Sequence, residues 1–224
     1  MQTGGEIRST PTYARPMIIG FAGGEGEFVV SNGVTTATTD VYVGGAPTNS
    51  YGNCDFNRAT SMMTHFPAAD YSMGGAVGRL VVAADSAGEC SFTALGSQNG
   101  NPGYLIVGTN GVGEVEVGAG GSLTVNGATF AGSSATLRCT LGASSAGTFR
   151  VAGEMVVGDG ARLVVDASKY SGQSWVKIVN ADSRTGSFSD IEVIGGGAVV
   201  QSREGDSSGS IWYRAGRGAI LTIK

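Results

Sequence analysis

One short template constrains this chain more than anything else in it: glycine, any residue, an apolar residue, any residue, valine. It occurs at Gly26-Glu27-Phe28-Val29-Val30, Gly78-Arg79-Leu80-Val81-Val82, Gly113-Glu114-Val115-Glu116-Val117, Gly121-Ser122-Leu123-Thr124-Val125 and Gly147-Thr148-Phe149-Arg150-Val151. Successive side chains of an extended strand point to opposite faces, so each copy predicts a short, half-buried strand. Phe28 and Val30, Val115 and Val117, Leu123 and Val125, and Phe149 and Val151 then share an inner face, while Glu114, Glu116, Thr124 and Arg150 point outward. The leading glycine fits a corner where a positive φ or a close backbone approach would penalise any side chain.

A second element stands five or six residues before three of the copies, at Ile19-Gly20, Val107-Gly108 and Leu141-Gly142, with partial copies at Val43-Gly44 and Val157-Gly158. Gly78, Gly113 and Gly147 lie 35 and 34 residues apart, a period in the solenoid range. Helical repeats share that length, but alternation of period two with glycine corners excludes them. Short strands with regular corners also build sandwiches and barrels. Recurrence of similar strands favours stacked coils, because each coil supplies the hydrogen-bond partners of the next. Whether 34 or 35 residues make one large turn or several small ones stays open at this level.

Composition agrees with strands joined by tight turns: 39 glycines, 14% charged residues, three lysines and 41% hydrophobic residues, enough for a substantial core. The net charge of -4 is scattered, with no run of Lys or Arg to neutralise a line of phosphates, which argues against nucleic acid as a partner. No apolar stretch approaches the roughly 20 residues of a membrane-spanning helix, so no membrane span is expected. Met1 to Arg8 lack the layout of a signal peptide, which reads as an export signal removed or a chain that begins inside a longer one.

The pattern breaks at residues 49–75, which read as an insertion within repeats spanning 17–173, after a lead-in over 1–16. The run Arg58 to His65 predicts a short helix before Pro67. Insertions in solenoids emerge from one face and often carry the binding surface, which makes Tyr51, His65, Phe66 and Tyr71 the candidate ligand contacts; the alternative is a loop folded back on the coil. Residues 174–224 differ again, with Ser174-Trp175-Val176-Lys177-Ile178-Val179 and a closing Ile220-Leu221-Thr222-Ile223, and read as a cap over the open end. Cys54, Cys90 and Cys139 form no CxxC pair and allow at most one bridge, for which Cys54 with Cys90 is the candidate. Three buried thiols acting as small hydrophobes are the other reading.

The glycine-valine units resemble the repeats of bacterial autotransporter-type passenger domains and of the related PEP-CTERM-associated proteins. Trp175-Val176-Lys177-Ile178-Val179-Asn180-Ala181, Thr185-Gly186-Ser187-Phe188 and Ile220-Leu221-Thr222-Ile223 look like the end unit of such passengers. The resemblance covers residues 17–48 and 76–224. It implies a right-handed parallel β-helix, export from a Gram-negative-type cell, a secreted or surface-associated location, and a structural or adhesive role with a surface glycan or another surface protein as partner.

Parallel β-helices also host polysaccharide lyases and hydrolases, so a carbohydrate-active protein is the alternative. That chemistry needs a base or a pair of facing carboxyls. Here Asp40, Asp55, Asp70 and Asp85 recur without a shared template, and Asp159, Asp166, Asp182 and Asp190 sit in glycine turns or by the cap, where Asp usually caps backbone amides. His65 is the only histidine and no glycine-flanked serine elbow accompanies it, so no catalytic residue is assigned. No metal site or cofactor is expected, since the turns lack the periodic aspartates of calcium-binding repeats. Tyr13, Tyr51, Phe66, Tyr71 and Trp212 could stack on sugars, though their spacing places them on no common strand face. Thr35-Thr36-Ala37-Thr38-Thr39 does not recur regularly, which argues against an ice-binding ladder.

Overall fold

The structure, a computed structural model, describes residues 2–9, 17–20, 24–45, 76–84, 90–96, 103–109, 111–202 and 209–216. Among them every regular element is a strand. In chain order these are β1 (Gln2–Ser9), β2 (Met17–Ile19), β3 (Glu25–Ala37), β4 (Val41–Val43), β5 (Ala76–Val82), β6 (Cys90–Ala94), β7 (Tyr104–Val107), β8 (Gly111–Gly118) and β9 (Gly121–Val125). They continue with β10 (Gly127–Phe130), β11 (Ala135–Thr140), β12 (Thr148–Val157), β13 (Arg162–Asp166), β14 (Val176–Thr185), β15 (Asp190–Ile194), β16 (Ala198–Val200) and β17 (Ile211–Arg214). All belong to one hydrogen-bonded sheet.

Pairing is parallel throughout except where β17 runs antiparallel to β14 and β16. The parallel pairs sort into three ladders. In the first, the N-terminal half of β3 is followed by β5, β8, β11, β13 and β15. The second joins β1, the C-terminal half of β3, β6, β9 and the first halves of β12 and β14. The third joins β2, β4, β7, β10 and the second halves of β12 and β14. The chain visits the ladders in rotation, a connectivity consistent with a β-helix or solenoid, and the sheet is not closed into a barrel. Parallel strands need such crossovers, because a tight hairpin can join only antiparallel neighbours.

Register explains the template. Phe28 faces Leu80, then Val115, Leu137 and Leu163, and beside this column run Val30, Val82, Val117, Cys139 and Val165. The second ladder contributes Phe92, Leu123, Phe149 and Val179, with Ala94, Val125, Val151 and Ala181 beside them. The third contributes Val43, Val107, Phe130 and Val157. Apart from the partly buried Phe28, these side chains are buried and form one continuous core, and each large one adds about 1.5–3 kcal/mol by leaving water. Phe130 sits edge-on to both Phe149 and Phe188, with centroids 6.4 and 5.5 Å apart.

Two of the sequence expectations need correction. Gly78 and Gly113 are ladder partners, one circuit of 35 residues apart. Gly147 is not the next member: it leads into β12, whose Thr148 faces Ser122 on the second ladder, so the spacing of 34 residues is not a period. Circuits on the first ladder take 52 residues from Gly26 to Gly78, 22 from Gly113 to Ala135, 26 from Thr136 to Arg162 and 28 from Arg162 to Asp190. Across the continuously described circuits of 22, 26 and 28 residues, corners absorb the difference, because they are not bound by register. Likewise Ile19-Gly20, Val43-Gly44, Val107-Gly108 and Val157-Gly158 all close strands of the third ladder, whereas Leu141-Gly142 follows β11 on the first.

At the far end the parallel ladders continue through β14 and β15, inside the segment expected to be a cap. Only β16 and β17 leave the pattern, and β17 lays Tyr213 against Val176 of β14. Tyr213 is buried, donates its hydroxyl to the Gly196 carbonyl at 2.7 Å and stands edge-on to Tyr170. Residues 46–75, which include the whole of the expected insertion and the expected helix at Arg58 to His65, lie outside the described residues.

Candidate functional site

In most described strands the core takes every second residue, and the ladders gather the residues between into outward columns, which among the described residues are the side chains open to a ligand. Rungs lie about 4.8 Å apart, and alternate residues of one strand about 7 Å apart.

The first ladder presents charge. Glu27, Arg79 and Glu114 are consecutive in one column, and Glu116 and Arg138 in the next. Arg79 bonds Glu27, Glu114 and Glu116 at once; its Nε donates to Glu114 Oε1 at 3.0 Å. Arg138 lies 3.4 Å from the same Glu114 oxygen, and Thr140 donates to Glu116 at 2.9 Å. Farther along, Arg162 pairs with Asp190 and Glu192. These carboxylates are committed to arginines from neighbouring rungs, an arrangement that ties circuits together and leaves little acid for general acid-base chemistry.

The second ladder presents hydroxyls. Thr36, Thr93 and Thr124 form one outward column, and Ser91, Ser122 and Thr148 another. The threonine column spans three rungs and draws one residue from each of three separate segments. It ends at Arg150, which pairs with Asp182 at 2.7 Å and interrupts the flat hydroxyl surface. The recurring tripeptides Ser91-Phe92-Thr93 and Ser122-Leu123-Thr124 were its signal in the sequence, hidden by unequal circuits.

The third ladder carries the concave feature of this surface. Tyr104 faces Gly127, and the next rung places Glu154 in the same column. Asn126, Gly127, Ala128, Thr129, Gly153 and Val156 complete a shallow groove of about 190 Å³ between Tyr104 and Glu154. Tyr104 is 46% exposed. Its strand is anchored by its N–H, which donates to Asp40 Oδ1 at 2.8 Å. Burial raises the Asp40 carboxyl above the usual aspartate value, opposed by the N–H groups of Tyr104 and Gly103. Glu154 accepts a hydrogen bond from the Thr185 hydroxyl one rung on. Tyr104 was not singled out in the sequence, although Gly103-Tyr104-Leu105-Ile106-Val107 is itself a copy of the template, because the template marks the inward positions and says nothing of which outward residues come to lie together.

Of the residues singled out in sequence, Tyr51, Cys54, His65, Phe66 and Tyr71 lie outside the described residues, as do Tyr13, Asp55, Asp70 and Asp85. Cys90 is described: it is buried on the second ladder and its thiol donates to the Val30 carbonyl at 3.0 Å. The Ser168 hydroxyl, and after it the Ser168 N–H, which donates to Asp166 Oδ1 at 3.0 Å, hold the Asp166 carboxyl below the usual range. Trp212 lies under the Lys177 ammonium, 4.8 Å from the ring centroid. A larger cavity, lined by Trp175, Gln173, Arg214 and Gly216, lies beside β17. Among the described residues, no group of three or more His, Cys, Asp and Glu side chains is placed to hold a metal ion, and no helix is long and apolar enough to cross a membrane. No family model, curated protein or solved structure matches the chain.

Proposed function

We propose that the chain is a block of right-handed parallel β-helix in an exported bacterial surface protein, secreted or held at the cell surface, and that its role is structural or adhesive rather than catalytic. One observation carries this reading: three parallel ladders share a continuous apolar core, while the outward columns of the first are occupied by arginine-carboxylate pairs between rungs. Such a body is stiff, and it extends by adding circuits. It offers flat polar walls to a surface glycan or to another surface protein.

A polysaccharide panel tests it. Incubation with neutral and uronic-acid polymers is expected to yield neither new reducing ends nor unsaturated products. Cleavage that His65→Ala or Asp70→Asn abolishes would instead make the protein a carbohydrate-active enzyme. The flanking reading frame is an independent check: further copies of the glycine-valine repeat with a terminal barrel or sorting tail are expected, and an appended catalytic module contradicts the proposal.

A further inference from the structure

We infer that the groove on the third ladder is a binding subsite for a neutral sugar ring, with Tyr104 as the stacking platform and Glu154 as the hydrogen-bond acceptor. The assignment rests on the adhesive reading and sharpens it by naming the ligand class.

The groove exists because two rungs omit side chains. Gly127 stands between Tyr104 and Glu154 in the outward column, and a Cβ there would lie 2.8 Å from Cδ1 and Cε1 of the Tyr104 ring. A Cβ on Gly153 would lie 2.6 Å from the Asn126 carbonyl oxygen. Any larger residue at Gly127 would displace the ring, and one at Gly153 would press on the backbone floor. The ring is therefore held partly exposed on a strand instead of a loop, with one edge against glycine backbone.

The chemistry around it selects the ligand. Pyranose rings have an apolar C–H face that stacks on aromatic side chains, and hydroxyls at their rim that need acceptors and donors. Glu154 gives one acceptor position to the Thr185 hydroxyl, and a carboxylate has about four. Thr129, a further hydroxyl-bearing residue, also lines the groove. Among the described residues no Lys or Arg lines the groove, so none of them compensates the Glu154 charge against an acidic sugar, and uronic acids are disfavoured. The volume of about 190 Å³ falls below the roughly 300–1,000 Å³ of pockets that engulf a drug-sized ligand, which suits contact with a single ring of a longer glycan.

Two-dimensional amide NMR of the intact chain, titrated with cellohexaose, chitohexaose, maltohexaose and xylohexaose, decides the matter. At least one is expected to shift the Gly127, Ala128 and Gly153 signals saturably, while hexagalacturonate does not. Tyr104→Ala is expected to weaken that binding tenfold or more, Tyr104→Phe to retain most of it, and Glu154→Gln to weaken it several-fold, with Thr93→Val on the second ladder as an unchanged control. Tyr104→Phe guards against misfolding of the alanine variant. Absence of shifts with all four neutral sugars, binding indifferent to both Tyr104→Phe and Glu154→Gln together with Tyr104→Ala, or preference for the galacturonate overturns the subsite and leaves the scaffold reading standing. Tyr104-dependent binding accompanied by cleavage of the oligosaccharide keeps the subsite and overturns the non-catalytic role.

Discussion

A Cβ placed on Gly78 would lie 2.3 Å from the backbone nitrogen of Gly44, which belongs to the preceding corner. It would also come 2.1 Å from the Ile19 carbonyl oxygen, so neither neighbour is a flexible side chain that could move aside. Gly44 itself has a φ of 77° and donates its N–H to the Ile19 carbonyl at 2.9 Å. The first and third ladders thus meet at a corner built of bare backbone. Gly78→Ala is expected to cost at least the roughly 1–3 kcal/mol typical of overpacking. A urea melt checks it, and an unchanged midpoint contradicts the close approach.

Cys139 occupies an inward position between Val117 and Val165 and is a free, buried thiol. Burial, with a smaller contribution from the Glu116 charge, pushes this thiol up to about 12, against 9.0 for an unperturbed one. The folded value being the higher, the thiol's share of stability is intact below pH 9 and drains as pH climbs toward 12, because only the unfolded chain then releases the proton. Wild type is therefore expected to lose stability relative to Cys139→Val between pH 8 and 10.5, at up to about 1.4 kcal/mol per pH unit above 9. At pH 8, Cys139→Val fits the valine column and should cost under about 1.5 kcal/mol. Thiol labelling in the native state should spare Cys139; rapid native labelling contradicts its placement.

Arg79 joins three carboxylates, but its side chain is 40% exposed and Glu27 is 51% exposed, so solvent screens much of the attraction. Arg79→Ala is expected to cost about 1 kcal/mol at low salt, with the penalty shrinking in 1 M NaCl as the remaining carboxylates are screened from one another. Melts at two salt concentrations measure this. A penalty insensitive to salt assigns Arg79 a packing role instead.

The inward column of the third ladder runs Met17, Val41, Leu105, Ala128 and Met155, and then meets Arg184. Its Nε donates to the Gly186 carbonyl at 3.1 Å, while Nη1 is buried without a hydrogen-bond partner, and burial lowers the guanidinium pKa. A partly buried cation at the end of an apolar column costs desolvation that a fitting apolar side chain would not. Arg184→Met is expected to stabilise the chain by up to about 1 kcal/mol, since replacing a poorly paired, partly buried ion with a fitting apolar residue often does so. Lower stability in thermal unfolding contradicts that view.

The strand content and the inner faces were legible in the sequence, because alternation of period two is a local signal. Leu123, Val125, Phe149 and Val151 point inward as expected. The circuit was not legible: 52, 35, 22, 26 and 28 residues separate partners on one ladder, and copies of the template fall on all three ladders, so equal spacing between glycines mixed unlike positions. The outward columns were hidden for the same reason. Thr36, Thr93 and Thr124 become neighbours, and Tyr104 comes to stand one glycine away from Glu154, only after each strand has been laid in register on the last.

Engineered cysteine pairs test that register most directly. In a Cys54→Ser background, Ser91→Cys with Ser122→Cys places two outward thiols on facing residues of β6 and β9, and Ile106→Cys with Thr129→Cys does the same on β7 and β10. Facing residues fall within the roughly 4.4–6.8 Å Cα separation that a disulfide spans. Both pairs are expected to cross-link readily under mild oxidation of the folded chain, while Ser91→Cys with Thr148→Cys, two rungs apart, stays reduced. Facing pairs that remain reduced although each thiol reacts freely with a soluble reagent, or cross-linking of the two-rung pair alone, contradict the stacked parallel ladders on which every functional inference above depends.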